Sequence, residues 1–108
     1  MNTWFVSRHP GALAWMRAHG PAFGRHVTHL EESDFQQLGS GDIVIGSLPV
    51  HLAARVCACG AQYWNLSLNM PAEARGQELS ADELRSMGAM LERFDVRAVA
   101  DNAPFPSH

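Results

Sequence analysis

The sequence predicts a small doubly wound α/β domain: a mostly parallel, four- to five-stranded sheet with helices on both faces. Two observations carry this prediction. Short β-branched or aromatic runs alternate with segments of helical spacing along the 108-residue chain. In addition, the run Asp42-Ile43-Val44-Ile45-Gly46 has the unbroken apolar centre of a strand buried on both faces.

Each element has its own local reason. Residues 3–7 are a short apolar run containing Trp4, Phe5 and Val6, which reads as the first strand. Residues 12–19 keep Leu13, Trp15, Met16 and His19 at helical spacing and stop at Gly20-Pro21. Residues 25–30 read as a second strand, and residues 31–38 as a polar connection with one helical turn. After the turn signal Gly39-Ser40-Gly41 comes the third strand, residues 42–46. Residues 49–58 follow as a helix with Pro49 in its first turn and Gly60 just beyond its end. Alternation of Tyr63, Asn65 and Ser67 with Trp64, Leu66 and Leu68 marks a fourth strand over 62–68. Ser80-Ala81-Asp82-Glu83 is a capping box, and the helix it opens is expected to carry Leu84, Met87, Met90 and Leu91 on one face. Residues 94–99 are the expected last edge strand, and residues 101–108 a flexible tail after a single domain of 1–100.

Composition narrows the class. With 46% hydrophobic and 18% charged residues the chain reads as an ordered globular domain. No stretch has the apolar length of a membrane span, and Arg8 and His9 interrupt the region where a signal peptide would need apolar residues. A cytoplasmic location without membrane attachment is therefore expected. The net charge of −3 argues against coating long nucleic acids. All 8 basic residues are arginine, the better bidentate phosphate ligand, although a GC-rich genome explains that bias equally well. On a helix, Cys57 and Cys59 point about 200° apart, so they are expected to be separate buried thiols. His26 and His29 would lie on opposite faces of their strand with no carboxylate to complete a set, so no metal and no cofactor is expected.

Alternating strands and helices imply right-handed crossovers, and the common small order 2-1-3-4 reverses direction between the first and third strands. Ligands bind at the carboxyl ends of the strands beside such a reversal. This brings Ser7, Arg8, His9 and Gly11 opposite Gly46, Ser47 and His51, with Asn65 and Ser67 on the flank. Arg8 suits two parallel hydrogen bonds to a phosphate, and His9 can protonate a leaving oxygen. Ser7 and Ser47 offer hydroxyls, and Gly11 and Gly46 let the backbone approach a ligand. The alternative reading pairs Arg8 with a carboxylate, makes His9 a helix cap and leaves the glycines as chain turns.

Four separated blocks carry a family resemblance. They are Trp4-Phe5-Val6-Ser7-Arg8-His9-Pro10-Gly11-Ala12, Gly41-Asp42-Ile43-Val44-Ile45-Gly46-Ser47-Leu48-Pro49-Val50, Tyr63-Trp64-Asn65-Leu66-Ser67-Leu68 and Pro71-Ala72-Glu73-Ala74-Arg75-Gly76-Gln77-Glu78-Leu79. Together they resemble small CRISPR-associated accessory proteins of type III systems, the ring nuclease group, over about residues 3–94. That resemblance implies a Rossmann-like, sensor-domain-like fold, a homodimer, and metal-independent cleavage of cyclic tetra-adenylate to linear di-adenylate with 2′,3′-cyclic phosphate ends. Such cleavage switches off type III antiviral signalling. In that reading Arg8 and His9 are catalytic, while Ser7, Gly11, Gly46, Ser47, His51, Asn65 and Ser67 bind the ring. His51 and Asn65 are places where the chain departs from the family pattern. A binder that does not cut, and an interaction module with no nucleotide site, are the competing readings.

Overall fold

The computed structural model describes residues 1–69, 71–74, 76–99 and 105–106. Its strands are β1 (Thr3–Val6), β2 (Arg25–Val27), β3 (Ile43–Gly46), β4 (Gln62–Ser67) and β5 (Met90–Phe94). Its α-helices are α1 (Pro10–His19), α2 (Glu32–Gln37), α3 (Val50–Ala58) and α4 (Ala81–Ser86), with one 3-10 turn at Ala72–Ala74. The sheet order is β2-β1-β3-β4-β5, with the first four strands parallel and β5 antiparallel to β4. The fold is therefore the doubly wound α/β arrangement that the alternating pattern predicts.

Side-chain alternation explains the two layers. Trp4, Val6, Val44 and Tyr63 pack with Phe35 of α2 and with Ala53 and Val56 of α3. The intervening Phe5 and Ile45, with Leu66, pack with Ala12, Trp15 and Met16 of α1 and Leu84 of α4. Because neighbouring strand residues point to opposite faces, one apolar run feeds both cores at once. Trp4, Phe5, Val44 and Ile45 are each no more than 1% exposed.

At the amino end of the sheet, the buried carboxylate of Asp42 accepts from the Asn2 amide at 2.8 Å and the Gly39 amide at 3.0 Å. These bonds pin the start of β1 to the turn that precedes β3. The Asn2 amide lowers the pKa of Asp42 most; burial opposes it, and the Gly39 amide and the amino-terminal ammonium assist.

Several element boundaries differ from the sequence reading. The second strand stops at Val27, because β1 ends at Val6 and the last link is the Ser7 amide donating to the Val27 carbonyl. Thr28 and His29 therefore lie beyond the strand, and the opposite-face argument for His26 and His29 does not apply. The connection over residues 31–38 holds a six-residue helix, with Asp34 accepting from the Glu31 amide at its start. Met90 and Leu91 belong to β5 instead of the last helix. Gly88, at φ 74°, ends that helix in a conformation β-carbons resist, and the chain turns back antiparallel to β4. The edge strand expected over residues 94–99 is accordingly Met90–Phe94.

Cys57 and Cys59 are unpaired and half-buried, not buried. Cys57 lies near the Phe94 carbonyl and the Val96 amide, and Cys59 near the Phe35 carbonyl. Of the tail expected over residues 101–108, all but Phe105 and Pro106 lies outside the described residues. Among the described residues, no helix is long and apolar enough to cross a membrane.

Candidate functional site

The carboxyl ends of the strands open, around the reversal between β1 and β3, into a crevice of about 1150 Å3. Three loops supply its polar rim: Ser7, Arg8 and His9 after β1, Thr28 and His29 after β2, and Ser47 after β3. Its floor is apolar, with Phe5, Val6 and Leu66 from the strands and Leu48, Leu52 and Leu68 half-buried around them. Gln77, Glu78 and Leu79 form a further wall. Both α1 and α3 begin at this end, and neither has an acidic residue in its first turn. Unsatisfied amides at the start of a helix carry partial positive charge, so two such ends favour an anion here.

The β1–α1 loop is shaped by its own sequence. Pro10 occupies the first helical turn, where it has no amide hydrogen to lose, and His9 is held extended at φ −97° and ψ 118° as the residue before a proline. The His9 amide donates to the Ser7 hydroxyl oxygen at 3.1 Å. Ser7 thereby keeps its own O–H proton for a ligand. Ser47 is in the opposite state, since its hydroxyl already donates to the Leu66 carbonyl at 3.1 Å. Of the two serines, Ser7 is the one ready to donate.

Arg8 is exposed and has no hydrogen-bond or ion-pair partner among the described residues. Other arginines are engaged: Arg25 bonds Gln37 and lies over the Trp4 ring, and Arg55 makes a two-pronged pair with Glu32 while covering Phe35. The guanidinium and carboxylate together raise the pKa of Arg55 and lower that of Glu32, chiefly through their hydrogen bonds. His9 faces a carboxylate, with Nδ1 3.5 Å from Glu78 Oε1. That pairing directs a proton to Nδ1 and leaves Nε2 as the ring's other working atom.

The crevice brings Ser7, Arg8, His9, Gly46 and Ser47 together. Gly11, His51, Asn65 and Ser67 are not among its lining residues. Gly11 lacks a side chain for a packing reason, because a β-carbon there would overlap the Leu79 carbonyl oxygen. At Gly46 a β-carbon would stand 2.7 Å from the Val6 carbonyl oxygen, so this glycine too serves close contact between chains of backbone. His51 is an exposed residue of the first turn of α3.

Asn65 and Ser67 are hydrogen-bonded in series to Tyr63, a residue to which the sequence assigns no role. Ser67 Oγ accepts from Asn65 Nδ2 at 2.8 Å, and Asn65 Oδ1 accepts from the Tyr63 hydroxyl at 2.6 Å. The Tyr63 oxygen in turn accepts from the Leu48 amide at 3.0 Å. The chain of bonds fixes the backbone beside Ser47 from beneath. Burial raises the Tyr63 pKa, so the phenol stays protonated and able to donate. Glu78 and His29 also line the crevice without having been predicted there: Glu78 lies in the last of the four blocks but no chemistry in the sequence points to it, and the residue pattern places His29 inside a strand. A smaller hollow of about 370 Å3, lined by Cys57, Gly60, Gln62, Arg93 and Phe94 among others, contains none of the sequence-derived site residues. Among the described residues no group of three or more His, Cys, Asp or Glu side chains could hold a metal ion.

Comparison with known families places this geometry in context. Residues 4–97 match the family model described as "Putative CRISPR-associated protein (Cas_VVA1548)". The chain belongs to this CRISPR-associated family. The matched span takes in both walls of the crevice and all nine candidate residues from Ser7 to Ser67. Searches of curated proteins and of solved structures return no significant match.

Proposed function

We infer that the protein is a ring nuclease: it binds cyclic tetra-adenylate as a homodimer and cuts it to linear di-adenylate ending in a 2′,3′-cyclic phosphate. The observation that carries this reading is Arg8, without a partner among the described residues, beside His9 at a crevice where two helix amino termini converge. Membership in a CRISPR-associated family supports the choice of a signalling nucleotide as ligand.

The chemistry asks little of the protein beyond placement. A ribose 2′-hydroxyl attacks the adjacent phosphorus, the bond from phosphorus to the 5′-oxygen breaks, and the cyclic phosphate closes. Holding those three atoms in line supplies much of the acceleration. Arg8 meets the charge that gathers on the phosphoryl oxygens, and the Ser7 hydroxyl with the first amides of α1 holds the same group. In its imidazolium form, with Nδ1–H toward Glu78, His9 delivers the Nε2 proton to the departing 5′-oxygen. Leu48, Leu52 and Leu68 offer apolar surface to adenine faces. A single domain of 11.8 kDa has too little surface to enclose four nucleotides, whereas a two-fold dimer brings two crevices to a ring that itself contains a two-fold.

The deciding experiment is chromatography of cyclic tetra-adenylate after incubation with the protein in EDTA. Linear di-adenylate with a cyclic phosphate end is expected. An intact ring that co-migrates with the protein in native mass spectrometry would make it a binder only, and no binding would remove the nucleotide site. Light scattering should give the dimer mass; a monomer with and without ligand overturns the two-crevice arrangement.

A further inference from the structure

The crevice holds a second imidazole. His29, just beyond β2, lines it together with Arg8 and His9. Its two ring nitrogens are engaged differently: Nε2 lies 3.3 Å from Glu31 Oε1 and Nδ1 lies 3.1 Å from Thr28 Oγ1. An ionised carboxylate only accepts, so the proton of the neutral ring belongs on Nε2, and Nδ1 presents its lone pair to the hydroxyl. The ring is thus held by an acid on one side and already receives an alcohol on the other, the disposition of a general base.

We propose that His29 is the general base of the ring-opening reaction, with Glu31 as the positioning residue that fixes its tautomer. The proposal rests on the ring nuclease reading. In the step, His29 Nδ1 takes the proton of the attacking 2′-hydroxyl, which displaces the Thr28 hydroxyl from that nitrogen. The 2′-oxygen bonds to phosphorus, the bond to the 5′-oxygen breaks, and His9 Nε2 gives that oxygen its proton. One proton is gained at His29 and one lost at His9, so exchange with water restores both rings. The two imidazoles stand on different loops of one crevice, which allows them to serve opposite sides of a single phosphate. Among the described residues His9 carries no comparable hydroxyl on a ring nitrogen, and this asymmetry assigns the base to His29.

The test compares wild type, His29→Ala and His9→Ala in single turnover on two rings: ordinary cyclic tetra-adenylate and an analogue with sulfur at the 5′-bridging positions. A departing thiolate needs no proton, since thiols have a pKa of about 8.5, far below that of alcohols. His29→Ala should lose about 10²-fold or more on both rings. His9→Ala should lose a similar factor on the ordinary ring and recover most of it on the sulfur ring. The His29 side chain is 71% exposed, so its removal leaves the core intact, and melting curves on the same preparations check this. Wild-type rates for His29→Ala overturn its role while leaving the ring nuclease reading standing. Recovery of His29→Ala on the sulfur ring makes it an acid and overturns the assignment. A wild-type protein that cleaves neither ring overturns both readings together.

Discussion

The two ends of the same sheet handle polar groups in opposite ways. At the amino end the buried carboxylate of Asp42 is satisfied by two amides, and the contact ties one strand to the turn leading into the next. At the carboxyl end Arg8, His9, Thr28 and His29 are exposed on loops, and Arg8 has no partner among the described residues. Burying a polar group demands partners from within, whereas a group kept in solvent can wait for one from outside. The contrast separates residues that hold the fold from residues available to a ligand.

The sharpest way to break the comparison is Arg8→Ala. It should lower single-turnover cleavage by about 10²-fold, as the loss of one donor to a developing oxyanion does, with the melting temperature unchanged. Ring affinity should fall much less, because the remaining donors still hold the phosphate. Unchanged cleavage by the folded variant would place Arg8 with the ordinary surface arginines.

Gly11→Ala comes next and acts on stability. Its β-carbon meets the Leu79 backbone, so α1 and the wall containing Glu78 must part, at about 3 kcal/mol for overpacking. Chemical denaturation measures the loss, and a variant as stable as wild type would show that this wall yields freely.

Asp42→Ala strands the Asn2 and Gly39 amides and should cost about 2 kcal/mol. The sign of its pH dependence is fixed. Its pKa is lowered in the folded protein, so its stabilising contribution is complete above the unfolded value of about 3.9 and disappears as pH falls through the folded one. Unfolding free energy measured from pH 5 downward should therefore fall more steeply for wild type than for Asp42→Ala. Parallel curves would show that the amides do not discriminate between the two forms of the carboxyl.

The smallest effect belongs to Arg55→Ala. Its pair with Glu32 is exposed, and such pairs contribute little against water and salt. Slightly lower melting and an unchanged cleavage rate are expected. A large loss of cleavage would erase the distinction between engaged and available arginines.

The sheet was legible because its signal is local and redundant. Asp42-Ile43-Val44-Ile45-Gly46 is apolar wherever the strand is read, and right-handed crossovers then leave few orders for the parallel strands. The crevice followed from the same topology, which brought Ser7, Arg8 and His9 opposite Gly46 and Ser47. The last helix was less legible: Leu84, Met87, Met90 and Leu91 fit helical spacing, yet a single glycine at position 88 sends the second pair into a strand. His29 was hidden for a related reason, since the length of β2 is set by its neighbour β1 and not by its own residues. Tyr63 was invisible as a support because its bond to the Leu48 amide joins residues brought together only by folding, although its neighbour Asn65 lies on the same strand face two positions on.

The clamp on Asn2 also fixes where the protein can be handled. Met1 is 97% exposed and precedes β1, whose other end opens into the crevice. A biotin or a tag attached there leaves on the far side of the sheet from the ligand. A sensor surface loaded through the amino terminus would thus hold each subunit by the sheet end away from its crevice.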